Sequence, residues 1–303
     1  MSDTQQNIIV IVGPTASGKS AHGITQAEKH DGVIINADSM QVYRDLPILT
    51  AQPSDEDLEA APHKLYSILD GTVKCNAQQW TDMARAEIEA CFADKKTPIL
   101  VGGTGFYLKS LMEGLSPIPD VPDDIRDMSN ALLEMIGAPA LHAIVSAQDP
   151  EMGKQLEKND SQRLAHAWAV YETTGKPLSH WQNLPRVGPP ENWHFNVIRI
   201  LPERDTLKKR IESRFDQMLE GNVMDEVIAL HERIEDGDID ETAGIIVAHG
   251  FRALRNYHLG KIDLSEARHI GISDTKKYAK RQFTWFKNQI KNTKNITLTE
   301  TLP

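Results

Sequence analysis

The chain is short of the residues that several kinds of function require. Its two cysteines, Cys75 and Cys91, lie far apart in 303 residues and form no CxxC pair. Neither a disulfide framework nor a zinc ribbon is expected, and a reduced, cytoplasmic setting is. The 11 histidines never adopt H-x-x-x-H spacing, which argues against a transition-metal site. No stretch approaches the ~18 apolar residues of a membrane span. The only apolar run near the start, Ile8–Val12, is too short for a signal peptide and reads as a strand. Acidic residues are missing from Thr275 to Thr299, where Lys276, Lys277, Lys280, Arg281, Lys287, Lys291 and Lys294 stand instead. The net charge is −10, so this segment is either a solvated helix or a basic face on an acidic protein.

What is present begins at residue 13. Gly13-Pro14-Thr15-Ala16-Ser17-Gly18-Lys19-Ser20 is a complete G-x-x-x-x-G-K-[ST] loop. It follows an apolar strand and precedes a helix-compatible stretch, the context that gives the pattern its mechanism. The glycines let backbone N–H groups surround a phosphate, and the following helix aims its positive end at the same anion. Lys19 adds a charge, and the Ser20 hydroxyl can ligate Mg²⁺.

Short apolar strands alternate with helical patterns: Ile8–Val12, Val33–Ala37, Pro98–Val101 and, later, Phe195–Leu201. Alternation of this kind implies α/β architecture with a parallel sheet, whose ligands collect at the carboxyl ends of strands. The proline-rich Ser116–Pro122 interrupts it, and the residues after Asp123 read as helical. The expectation is a P-loop, nucleotide-kinase-like core over 1–116 and 195–303, with a helical insertion domain over 117–194.

Three polar segments end the early strands. Asp38, at the end of the second, suits a general base, a partner of a metal ligand, or the N-cap of a following helix. Gly102-Gly103-Thr104-Gly105 permits close approach to a ligand or a tight turn. Arg210 and Arg214 share a helical face and serve either a phosphate or acids such as Glu212. In Lys276–Phe286, Tyr278, Gln282 and Trp285 can face one way and Lys277, Lys280 and Arg281 another. Such aromatics anchor a core or stack on bases.

These segments together resemble bacterial tRNA dimethylallyltransferases. The resemblance is carried by the loop, by Ala37-Asp38-Ser39-Met40-Gln41-Val42-Tyr43-Arg44, and by Ala61-Pro62-His63. It continues through Val101–Leu108, Asn159-Asp160-Ser161-Gln162-Arg163-Leu164 and Tyr278–Phe286. It implies transfer of a dimethylallyl group from its diphosphate to N6 of the adenosine immediately 3′ of the anticodon, with Mg²⁺. The loop would then hold the diphosphate leaving group, not ATP for hydrolysis. Asp38 would be the base, and Thr104 and Arg214 would contact the diphosphate. Asp38, Ser39, Met40, Gln41, Thr104, Arg126, Gln162, Arg163, Leu164, Ala165, His166, Lys280 and Arg281 would lie along the tRNA. The helical insertion would clasp the anticodon stem-loop, and the protein would act as a monomer.

The sequence departs from that family in three places. His166 stands where a second arginine is usual. Ile245-Ile246-Val247-Ala248-His249 lacks the basic residue expected before Gly250-Phe251. Cys75-Asn76-Ala77-Gln78-Gln79-Trp80 replaces a Tyr-Ser-x-x-Asp-Phe stretch. A P-loop small-molecule kinase and a prenyltransferase acting on free AMP are the alternatives, with a nucleotide-gated RNA-binding protein as a non-enzymatic one.

Overall fold

An uninterrupted apolar run cannot leave either of its faces in water, so such runs end in a sheet covered on both sides. The computed structural model, which describes residues 5–294 and 296–301, bears this out. The chain divides into two compact units, Met1–Met112 with Pro189–Pro303, and Glu113–Gly188. In the first, β1 (Gln6–Val12), β2 (Gly32–Asn36), β3 (His63–Lys64), β4 (Thr97–Gly102), β5 (Trp193–Ile200) and β6 (Ile296–Thr301) form one sheet. The order is β3-β2-β4-β1-β5-β6, and every pairing is parallel. Two of these strands were not expected. β3 is two residues long, too short for any periodicity, and β6 is a threonine-rich edge strand buried through Ile296.

The helices α1 (Lys19–His30), α2 (Asp55–Ala60), α3 (Ala77–Ala93) and α4 (Gly105–Glu113) follow the early strands. A capping box between Asn76 and Gln79 starts α3. Its buried stripe of Trp80, Ala84, Ile88 and Cys91 has the spacing of one helical face. The Trp80 indole N–H donates to the Asn36 carbonyl at 3.0 Å, and its ring stacks on Tyr107 at 5.0 Å. That contact pins α3 to the ligand end of β2.

The second unit is helical: α5 (Asp123–Ile136), α6 (Ala138–Gln148), α7 (Pro150–Gln155), α8 (Ser161–Thr174) and α9 (Leu178–Gln182). It has its own core of Leu141, Val145, Met152, Leu164, Val170 and Leu178. Its ends are tied where Leu115 pairs antiparallel with Val187. The unit therefore runs over 113–188 instead of the expected 117–194, and the residues after 188 lead into β5, which starts at Trp193.

After β5 the first unit resumes with α10 (Arg204–Glu220), α11 (Val223–Glu235), a 3-10 turn at Gly244–Val247, α12 (Phe251–His258) and α13 (Leu264–Gln289). α10 buries Leu207, Ile211, Phe215 and Met218. The Phe215 ring lies against Gly271 of α13 so closely that a Cβ there would be 2.4 Å from it. Glycine at 271 is what lets the two helices approach. Among the described residues, no helix is long and apolar enough to cross a membrane.

Candidate active site

The segments after β1 and β2 line one cleft of about 650 Å³ at the carboxyl edge of the sheet, as expected for an open parallel sheet. Its walls include the phosphate loop from Thr15 to Ser20, Asp38 and Gln41 after β2, and Arg210 and Arg214 of α10. The loop turns through two left-handed residues, Ala16 at φ 61° and Gly18 at φ 91°. Gly13 is required by crowding: a Cβ there would lie 2.5 Å from the Ile200 carbonyl oxygen. α1 begins at Lys19, so the unpaired N–H groups of its first turn open on the cleft.

Within the loop the residues have unequal roles. Gly13, Pro14 and Ser17 are buried, Ser17 completely, so its hydroxyl points away from the cleft's solvent. The Ser17 N–H is turned back to the Pro14 carbonyl at 3.2 Å. The Thr15 N–H is likewise engaged, donating to Gln282 Oε1 of α13 at 2.9 Å. Ser20 is exposed. Lys19 keeps partial contact with solvent, yet burial lowers its ammonium to about 8. Asp38 opposes that shift and Arg214 reinforces it.

The two arginines of α10 reach over the loop. Arg214 Nη2 donates to the Thr15 hydroxyl at 2.6 Å, and Arg210 Nη1 to the Ser17 carbonyl at 3.3 Å. Glu212, offered by the sequence as their bland partner, pairs instead with Lys276 of α13. Burial lowers the Arg214 guanidinium, and the charge of Asp38 partly restores it.

Asp38 is presented by a buried asparagine. Asn36 accepts the Asp38 N–H at 2.8 Å and donates to the carbonyls of Asp38 and Leu65 at 3.1 and 3.0 Å. No helix starts after Asp38. Its Oδ1 accepts the Met40 N–H at 3.0 Å in a turn, which removes the helix-cap reading. The Gly102 loop lies beside it: a Cβ on Gly102 would be 2.1 Å from the Ala37 carbonyl oxygen. Thr104 there accepts the Ser39 N–H on its hydroxyl at 2.9 Å. Burial raises the phenols of Tyr66 and Tyr278, and the Asp38 charge raises both further. His249 rests on the Tyr278 ring, 4.4 Å between centroids. Burial lowers its imidazole, the nearby Arg281 lowers it further, and Asp274 and Asp38 oppose the shift.

The structure also sorts the residues expected along an RNA. Gln41 lines the cleft, but its amide N–H groups hold the Thr50 and Ala51 carbonyls at 2.9 and 2.7 Å. Met40 is half-buried against the core. Lys280 and Arg281 are exposed on α13, beside a groove of about 570 Å³ that also includes Trp285. Lys276 is neutralised by Glu212 and Lys277 lies 3.1 Å from Asp274. In the second unit, Gln162, Arg163 and His166 share the exposed side of α8. Arg126 of α5 is held by Asp123 and the Val121 carbonyl. Partial desolvation of its ring and then the Arg126 charge lower the His166 imidazole. Leu164 and Ala165 are corrections: both are buried in that unit's core, at 0% and 5% exposure, with no side-chain surface for RNA.

Sequence reasoning did not single out Gln282 as a site residue, although a signal existed. Thr275, Ala279, Gln282 and Phe286 form the buried stripe of α13, and a polar residue on such a stripe requires partners.

The family model described as IPP transferase matches residues 41–289. A tRNA dimethylallyltransferase of Nitrobacter hamburgensis is 43% identical over 284 residues, covering 93% of this chain and 88% of that protein. One from Rhodopseudomonas palustris is 44% identical, with 93% and 87% covered. Among solved structures, the tRNA isopentenylpyrophosphate transferase of Bacillus halodurans superposes with TM-score 0.66 at 30% identity, covering 99% of this chain and 91% of that one. A eukaryotic dimethylallyltransferase acting on tRNA gives TM-score 0.80 at 25% identity, covering 97% and 74%. With the phosphate loop and Asp38 lining one cleft, the Gly102–Thr104 loop packed against the Asp38 turn, and matches of this extent, the chain belongs to the IPP transferase family.

Proposed function

We propose that the protein transfers a dimethylallyl group from dimethylallyl diphosphate to N6 of the adenosine immediately 3′ of the anticodon in tRNA, releasing diphosphate. The observation that carries this reading is the single cleft in which Asp38 faces Lys19 and Arg214. An exocyclic amine is a poor nucleophile and gains from a carboxylate that removes its proton. The N6 lone pair attacks the prenyl C1 as the bond from C1 to the diphosphate oxygen breaks. The N6 proton passes to Asp38, and the leaving electron pair resides on the diphosphate. Lys19, Arg214 and the N-terminus of α1 neutralise that developing charge. The target base must leave its stack to enter the cleft.

Mg²⁺ fits this arrangement as an ion carried by the diphosphate. The exposed Ser20 hydroxyl lines the same cleft as the Asp38 carboxylate, while no cluster of three His, Cys, Asp or Glu among the described residues could hold a metal unaided. When bound, the ion would screen the charge of the leaving group. Ser39, Met40, Gln41, Thr104, Lys280 and Arg281 on the first unit, and Arg126, Gln162, Arg163 and His166 on the second, are the residues we assign to tRNA. Incubating the protein with dimethylallyl diphosphate, Mg²⁺ and unmodified tRNA, then analysing nucleosides by mass spectrometry, tests the reading. N6-dimethylallyladenosine at the expected position supports it. Transfer of the γ-phosphate from ATP to a small acceptor, or prenylation of free AMP but not tRNA, would replace it.

A further inference from the structure

The proposed chemistry leaves Gln282 without a role, although its side chain is buried and hydrogen-bonded at both ends. It is 5% exposed on the buried stripe of the helix. Both ends of its carboxamide are used, on two loops that are remote in sequence. Oε1 accepts the Thr15 N–H at 2.9 Å across 267 residues. Nε2 donates to the Gly103 carbonyl at 2.8 Å across 179.

One of those loops walls the cleft, and the other packs against the Asp38 turn that lines it. Thr15 belongs to the phosphate loop and holds Arg214 through its hydroxyl. Gly103 precedes Thr104, which fixes the Ser39 N–H next to Asp38. Glycine at 103 is what admits the amide: a Cβ would lie 2.3 Å from Nε2 and 3.3 Å from Asp38 Oδ2. The Tyr278 phenol, one turn back on α13, is close enough to Thr104 and Gln282 for both to stabilise its ionised form.

We propose that Gln282 is a positioning residue whose single carboxamide sets the spacing between the leaving-group loop at Thr15 and the base-bearing turn at Asp38 and Thr104. The inference deepens the prenyl-transfer reading and rests on it. In-line displacement needs nucleophile, carbon and leaving oxygen aligned, and a shift of about 1 Å costs about 100-fold in rate. A flexible loop contact could not hold that tolerance, whereas a planar amide on a 26-residue helix can. The same helix exposes Lys280 and Arg281 on its other side. RNA seated there and the spacing of the reacting groups would therefore share one rigid element.

Two substitutions separate the two bonds. Gln282→Met preserves length and removes both. Gln282→Glu keeps an acceptor for the Thr15 N–H but turns a carboxylate oxygen toward the Gly103 carbonyl in place of a donor. Three quantities are measured at mildly alkaline pH: the Kd of inorganic pyrophosphate with Mg²⁺, the single-turnover rate with saturating tRNA and dimethylallyl diphosphate, and the melting temperature. Gln282→Met is expected to weaken pyrophosphate by about tenfold, the value of one hydrogen bond to a well-placed donor, and to slow turnover by about 100-fold. Gln282→Glu should slow turnover as much, because the Gly103 donor is lost, and its added negative charge next to Thr15 should by itself weaken pyrophosphate. A purely structural glutamine would move both quantities in step with melting temperature. Parental turnover in Gln282→Met or in Gln282→Glu, or parental pyrophosphate affinity in Gln282→Met, overturns the proposal. If Gln282→Met does not fold, Gln282→Glu alone decides it. A parent protein that binds pyrophosphate but never prenylates tRNA would sink the prenyl-transfer reading, and the pyrophosphate comparison would still judge the clamp.

Discussion

Lys19 should make diphosphate affinity depend on pH in a direction the structure dictates. Burial holds its ammonium at about 8, against an ordinary 10.5. A diphosphate in the cleft places negative charge beside it and returns the pKa toward the ordinary value. The anion therefore binds the protonated lysine best, and a proton is taken up on binding once the free group begins to lose its own. This group leaves affinity flat below pH 8 and lowers it as pH rises from there toward 10.5. The interval from about 8 to 10.5 caps the effect at roughly 300-fold. Partial solvent contact screens it, so about tenfold between pH 8 and 9.5 is the expected loss. The same burial acts on folding with a definite sign. Lys19 penalises the ligand-free protein fully below pH 8, and the penalty disappears as pH climbs through 8 to 10.5. Calorimetric titration of pyrophosphate with Mg²⁺ in two buffers of different ionisation heat measures both affinity and protons. Subtracting the Lys19→Met curve removes the titration of pyrophosphate itself. That variant should lose about 1.5–3 kcal/mol of binding at neutral pH, the range for a hydrogen bond to a charged group. Equal proton uptake by parent and variant at pH 8.5 would refute the reasoning.

Three further outcomes are expected. Asp38→Asn should fold and bind tRNA within a few-fold of the parent while turnover falls by roughly 10²–10⁴, the span for a positioned general base; near-normal turnover in rapid-quench assays would remove Asp38 from the chemistry. Replacing Lys280 and Arg281 by Ala should weaken all cognate tRNAs alike and flatten the slope of log K against log salt by roughly 0.7–0.9 per lost contact. An unchanged slope would move the RNA surface elsewhere. Gly271→Ala should gain up to about 1 kcal/mol of helix propensity and lose more to the Phe215 ring, 2.4 Å from the new Cβ, since overpacking costs about 1–3 kcal/mol. Net destabilisation in thermal melts, relieved by pairing with Phe215→Leu, is the expected result, and a stabilised single variant would contradict it.

Local spacing and periodicity were enough to read the scaffold and its ligand edge. Eight consecutive residues from Gly13 to Ser20 contain the phosphate loop, because its geometry is made by glycines and by the helix that starts at Lys19. β1, β2 and β4 were legible because strands covered on both faces carry near-continuous apolar runs, and β5 because Trp193, Phe195 and Val197 alternate with polar or half-buried residues. Periodicity could also have excluded Leu164 and Ala165, whose spacing with Ala167 and Ala169 puts them on the buried side of α8. Other features depend on what the fold brings together, and no window of sequence contains them. Lys276 reads as part of a basic face until Glu212, 64 residues earlier, is placed against it. The insertion ends at 188 because Leu115 pairs with Val187, a contact that proline density cannot reveal. Gln282 reads as one polar residue in a basic helix until Thr15 and Gly103 arrive at its two ends. Sequence sets the chemistry available to each side chain and the face of the element that carries it. Which distant groups satisfy a buried carboxamide is decided only when tertiary packing removes the water that would otherwise have satisfied it.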